Sequence, residues 1–431
     1  NRFIRLRNWT QLPFDQLDLL LTSTMQAEGS LSGNTQPADL LTNANSARML
    51  GVFNDLNRQH TVSPETFAAW IHQITPYAVG DAVPFYDRLF NSHDLFDSML
   101  PCDNSAYTSS NTTNIKQICA GLGITQAEYD LLSSYVSAKQ SMTRSLPVFS
   151  AFFRLVTLPR TFGLSVTAGL GVLNLIHADA ISTLAGVPPV NTAPSSSAPD
   201  VLDIIVAFAA CADWLQDQQL SIAATTFMVH APDTLIGTPA QSTLVDSIVH
   251  DLAPTLLTVG RLLAAGAPQS DSDGAAIDWA TVLASVLDSA GLVIDQDDLA
   301  GAIDTALAAV KTDDAARQQV KAQLLAANAS QQGVTVKALA DYLSTDPAFP
   351  LLLLQWGGTN SYAFLTDTLA QDAAGVITLA QDYLARLYNL GRYQAAVVTF
   401  ALSSGLVQAY VTHPGWFNDS TGSNGDIPVS L

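Results

Sequence analysis

Charge is what this chain has least of. Asp, Glu, Lys and Arg make up 13% of its 431 residues, roughly half the share of an ordinary soluble domain. Positive charge is the scarcer sign, with 18 Lys plus Arg against 38 Asp plus Glu and a net charge of −20. A field of that sign repels nucleic acid and anionic bilayers, and no long Lys/Arg cluster offsets it, so nucleic acid is excluded as a partner. Cysteine is nearly absent. Cys102, Cys119 and Cys211 are odd in number and lack CxxC spacing; they read as idle or buried thiols, or as one Cys102–Cys119 disulfide beside a free thiol. Alternating strand patterns are also scarce, and apolar runs such as Leu351 to Leu354 are short and follow a proline, which leaves an all-α chain with little or no β-sheet. The most apolar long window, Ala395 to Val411, is broken by Ser403, Ser404, Gly405 and Gln408. It falls short of the roughly 20 residues that a membrane span needs, so a buried helix is expected there.

Reactive constellations are missing too. The seven histidines show no HExxH or other metal spacing, and each reads as a surface or satisfied core residue, with acid titration as its one further use. Gly169-Leu-Gly171 follows no strand and lacks a third glycine, so it is read as helix packing or a break in a helix. Ser165 stands in GLSVT, not GxSxG, and is better used as a helix cap. Asp271-Ser-Asp273-Gly274 resembles a calcium loop, but placing Gly274 sixth puts Gln269 first and Ala280 last. Without the closing carboxylate, a solvated loop is expected. Asp295, Asp297 and Asp298 set negative charge at a helix N-terminus, where the dipole favours it. No catalytic, cofactor-binding or metal residue is assigned, and the chain is read as no enzyme. An enzyme would need two or more of His72, His93, Asp271 and His413 to meet in one pocket.

What the chain does have is apolar residues, 48% of the total, arranged in a repeated grammar of staple residue, cap and amphipathic run. Leu17, Leu20 and Leu21 return at helical spacing, and another amphipathic helix runs from Ala47 to Arg58. Caps are expected at Ser63, Thr125, Ser165, Ser221, Asp295 and Thr335, with Pro64 in a first helical position and Glu128 completing a capping box at Thr125. In the stretch 153–173, Pro159 is expected to stop one helix, with Gly163 turning the chain and Ser165 opening the next. The caps are unevenly spaced, which favours an irregular, pseudo-solenoid array of helices over a regular repeat.

Two interruptions stand out. Residues 80–114 form a long connection around a short helix. Residues 188–200 form a Pro- and Ser-rich linker or loop that divides a first helical segment, 1–187, from a second, 201–431. A further loop is expected at 266–274 and a polar, exposed end after Thr421. The chain opens without an initiator methionine or a signal segment, and is read as a piece of a longer polypeptide.

Several stretches together resemble the α-helical shell of the A subunit of the Tc toxins, the insecticidal toxin complexes. These are RFIRLRNWTQLPFDQLDLLL at 2–21, RQHTVSPETFAAWIHQITPYAVGDAVPFYDRLF at 58–90, QICAGLGIT at 117–125, FRLVTLPRTFGLSV at 153–166 and HPGWF at 413–417. They occur in order along nearly the whole chain, thinning between about 175 and 345. The resemblance implies a structural, shell-like fragment of a large secreted subunit that forms a pentamer around a central channel and acts at the host cell membrane. It implies as partners the rest of its own longer chain and neighbouring protomers. B and C subunits and the host cell surface would be met through other regions, and no catalytic residue is carried over. The rival reading is a free-standing helical-repeat adaptor that grips peptides or proteins in a groove.

Overall fold

A computed structural model describes residues 2–29, 42–91, 96–191, 199–230, 234–373 and 375–417. The described residues are all-α apart from one two-stranded antiparallel hairpin, Asp372–Ala373 with Val376–Ile377. Contacts divide the chain into two compact units, 1–226 and 227–431.

The first unit holds α1 (Arg2–Thr10), α2 (Phe14–Ala27), α3 (Ala44–His60), α4 (Pro64–Ile71), α5 (Phe85–Phe90), α6 (Thr112–Leu122), α7 (Gln126–Ser137), α8 (Leu146–Thr161), α9 (Val166–Ile176), α10 (Ala180–Ala185) and α11 (Val201–Asp217). Helix α12 (Ile222–Val229) runs across the division. α8 is the central strut, because Val148, Phe149, Ala151, Phe152, Leu155 and Val156 put apolar atoms on all its sides and each is fully or almost fully buried. A helix apolar all round belongs in a core.

The caps form where the grammar is local. Ser63 accepts from the N–H of Thr66, Ser165 from that of Ala168 and Ser221 from that of Ala224. Thr125 and Glu128 close a full capping box. Pro159 does not stop α8, which continues to Thr161 and turns at Gly163, where φ is +71°. Proline is tolerated so near the end of the helix because its ring does structural packing: a Cβ on Gly169 would lie 2.1 Å from Pro159 Cγ, so the glycine is what lets α9 cross α8 at this joint. The two helices meet at 92°. The packing reading of Gly169-Leu-Gly171 therefore holds.

The segment 188–200, expected as a boundary, lies inside the first unit; its residues 192–198 fall outside the described ones. Its ends are stitched down. The N–H of Val190 donates to Ala27 O, that of Val201 to Pro189 O, and the Asp200 carboxylate receives Arg48 of α3. Burial opposes charge on Asp200, yet Arg48 and the N–H groups of Asn191 and Asp203 hold its pKa below the usual carboxylate range. That part-buried pair ties α11 to the helices before it.

The second unit holds α13 (Pro239–Leu252), α14 (Val259–Ala264), α15 (Trp279–Val282), α16 (Leu299–Leu307), α17 (Asp314–Leu343), α18 (Pro350–Trp356), α19 (Ser361–Gln371), the hairpin, α20 (Gln381–Thr399), α21 (Ser404–Thr412) and a 3₁₀ turn at Pro414–Trp416. Two expected caps are displaced here. Thr335 lies in the middle of α17, a continuous helix of 30 residues, with its hydroxyl buried against that of Ser361 at 2.8 Å. Asp298, not Asp295, caps α16, accepting from the N–H of Gly301. Asp295 instead reaches α19, accepting from the N–H of Tyr362 and from Gln332. The window 395–411 is not one helix: α20 ends at Thr399, Ala401 takes φ +48°, and Ser403 caps α21 by accepting from the N–H of Leu406. Among the described residues no single helix is long and apolar enough to cross a membrane.

Candidate functional site

A buried cation organises the first unit. Arg154, on α8, is 1% exposed, and no carboxylate pairs with it among the described residues. Its guanidinium satisfies main-chain oxygens at the C-terminal ends of two helices. Nη1 donates to His72 O at 2.7 Å and Ala69 O at 3.4 Å, at the end of α4; Nε donates to Leu184 O at 3.0 Å and Nη2 to Gly186 O at 2.5 Å, at the end of α10. Helix C-termini leave carbonyls without partners and carry partial negative charge, so the forked donor fills both needs at once. Burial pushes the Arg154 pKa down to about 9, which leaves it charged at neutral pH.

His72 is the C-terminal cap residue of α4. Its Nδ1 is buried without a hydrogen-bond partner among the described residues. Burial, and then the charge of Arg154, push its pKa down to about 4, so the imidazole is neutral at pH 7.

One face of His72 lines a surface cleft of 810 Å³. Asp15, Asp18, Thr22 and Gln26 of α2 form one wall at helical spacing, and the loop after α4 forms another with Ile74, Tyr77, Val79 and Val83. Tyr77 is 82% exposed, a large aromatic surface to leave in water. Glu65 and Arg88 form an ion pair at the rim, whereas Asp15 and Asp18 find no partner among the described residues. The cleft is thus half acidic and half apolar.

The residues singled out from sequence do not meet in one pocket within either unit. His72 belongs to the first unit and His93 lies outside the described residues. In the second unit Asp271 Oδ1 is occupied by the N–H groups of Asp273 and Ala275, Asp273 pairs with Lys311, and His413 packs on Trp416 with ring centroids 4.2 Å apart. Gly274 supplies the φ of +85° that closes the 271–275 turn, so internal hydrogen bonds account for this loop. All three cysteines are free thiols. Among the described residues no group of three or more His, Cys, Asp or Glu could hold a metal ion. Arg154 was invisible to sequence reasoning, because its four acceptors come from two helices far from it in sequence; an arginine inside the apolar run FFRLV was the available signal.

No family model matches the chain. It is 29% identical over 437 residues to toxin subunit YenA1 of Yersinia entomophaga, an alignment that covers 96% of this chain and 36% of that protein. The fold is shared with a cryo-EM structure of Yersinia pseudotuberculosis TcaA–TcaB, with TM-score 0.52, 16% identity, and coverage of 94% of this chain and 18% of that one. It is shared also with Morganella morganii TcdA4, with TM-score 0.51, 13% identity, and coverage of 86% and 13%. The chain spans about a third of the length of its curated relative, and its motifs, relative and fold agree that what it resembles, over nearly its whole length, is part of a Tc toxin A subunit.

Proposed function

We propose that this chain is a structural segment of the helical shell of a large, secreted, toxin-translocating A subunit. In that role it encloses a central channel and packs against neighbouring protomers of a pentamer, while other regions of the parent meet the B and C subunits and the host cell surface. It performs no chemistry of its own. The observation that carries this reading is the similarity to a toxin subunit along 96% of the chain, with the match confined to 36% of the relative. A segment so embedded works as part of a larger body. Its build suits enclosure, with helices capped by side chains, few charges, and a buried arginine that fixes two helix ends to a central strut.

The test is made on the full-length parent. Particles imaged by electron microscopy should be ring-symmetric oligomers with this segment in an outer helical wall, and they should release dye from liposomes. A parent that remains a compact monomer and never permeabilises liposomes would overturn the proposal.

A further inference from the structure

Positive charge is rare in this chain, and what exists is mostly consumed. Arg48, Arg58, Arg88, Arg144, Lys311, Arg317, Lys321, Lys337 and Arg386 pair with carboxylates. Arg154, Arg160, Arg261 and Arg392 serve main-chain oxygens. Lys116, Lys139 and two arginines of α1 have no side-chain partner among the described residues, and α1 is where two such cations stand together. Arg2 and Arg5 stand one helical turn apart on its exposed side, with no partner among the described residues, and Trp9, at 58% exposure, lies one turn beyond Arg5 on the same side. No residue of α1 is buried. The helix thus presents a face that is cationic and apolar together.

The cleft offers the complement. Asp15 and Asp18 are also one turn apart, also exposed and also unpaired among the described residues, and they face the apolar wall of Tyr77, Val79 and Val83. Residues three apart on a helix lie close together on its surface, so the two arginines match the two carboxylates in spacing as well as in sign. The α1 helix does not occupy the cleft of its own chain, where Gln11, at φ +59°, and Pro13 set its direction and Phe3 stacks on Phe14.

We infer that α1 of one copy docks in the α2–α4 cleft of a second copy of this chain, with Arg2 and Arg5 against Asp15 and Asp18, and Trp9 against Tyr77, Val79 and Val83. The contact is heterologous: the surface that donates differs from the surface that receives. Such contacts close into rings when the rotation per copy permits. The inference deepens the reading of this chain as a shell segment that meets neighbouring protomers, and it rests on that reading.

The test is sedimentation velocity of the whole chain across concentration and salt. Arg2→Glu with Arg5→Glu, or Asp15→Arg with Asp18→Arg, should each weaken self-association by about ten-fold or more at low salt, because like charges then face each other. All four side chains are exposed, so circular dichroism should be unchanged. The chain carrying all four reversals should associate again, and the two partly reversed chains should associate with each other when mixed. Self-association that ignores both pairs of reversals, or is not restored by combining them, would overturn this contact and leave the shell reading standing. A wild-type chain that stays monomeric, or that instead binds phosphatidylserine vesicles through Arg2 and Arg5, would overturn it too. Only a monomeric parent would take the shell reading down with it.

Discussion

Arg154 Nη1 donates to the main-chain oxygen of His72 at 2.7 Å, joining the middle of α8 to the end of α4 without any acidic side chain. The same guanidinium holds the end of α10 through Leu184 O and Gly186 O. Replacing it by Met keeps the bulk but leaves four carbonyls short of a donor in a site that excludes water. Unsatisfied buried polar groups are costly, so Arg154→Met should destabilise the first unit by about 3–5 kcal/mol. Arg154→Lys should recover only part of this loss, because an ammonium lacks the planar fork needed to serve two helix ends. Hydrogen exchange of α4, α8 and α10 is the measurement. Exchange as slow in Arg154→Met as in the wild type would show that the carbonyls are satisfied some other way.

The neighbouring imidazole makes stability depend on pH. Burial, followed by the charge on Arg154, lowers the folded-state pKa of His72 to about 4 from the ordinary histidine value of 6.5. Between those values the unfolded chain binds the proton and the folded chain does not. The His72 contribution is therefore complete above pH 6.5, declines as pH falls toward about 4, and levels off below that. Urea midpoints measured from pH 7 to 4 should fall more steeply for the wild type than for His72→Gln, which has no titrating ring. Identical slopes for the two proteins would mean that this site does not couple folding to protons.

What could be read in advance was whatever depends on a few consecutive residues. Ser63, Thr125, Ser165 and Ser221 cap helices as expected, because each needs only an N–H three positions ahead. Thr335 misled because Val334, Thr335 and Leu339 show the staple pattern, yet α17 passes straight through Gly333 and Thr335 and the buried Ser361 hydroxyl takes the bond. Tertiary packing decided that case, as it did for Asp295, whose carboxylate serves α19 from 67 residues away. The cleft was equally hidden. Its walls come from α2, α4 and the loop after α4, and only the fold sets the carboxylates of Asp15 and Asp18 opposite Tyr77. The apolar run around Ser403 looked like one helix because hydropathy does not register the left-handed turn at Ala401.

The joint between α8 and α9 gives a sharper test of why a glycine is where it is. At Gly169 an added Cβ would sit 2.1 Å from Pro159 Cγ and 2.4 Å from Pro159 Cβ, against a rigid ring held in a helix. At Gly171 it would meet one atom, Ile222 Cγ2 at 2.7 Å, a methyl on a side chain whose χ1 is stiff but which is not part of a ring fixed to the backbone. Neither glycine has positive φ, so backbone conformation is not the issue, and alanine gains the same helix propensity at both positions. The difference is the neighbour's freedom to move. Gly169→Ala should therefore cost about 1–3 kcal/mol as α9 is levered off α8, while Gly171→Ala should cost less because its one overlap is smaller and is relieved by a small shift of a single side chain. Adding Pro159→Ala should return part of the Gly169→Ala loss and do nothing for Gly171→Ala. Hydrogen exchange of α9 reads both outcomes. If the two alanine variants exchange alike, ring contact at Pro159 is not what sets the 92° crossing.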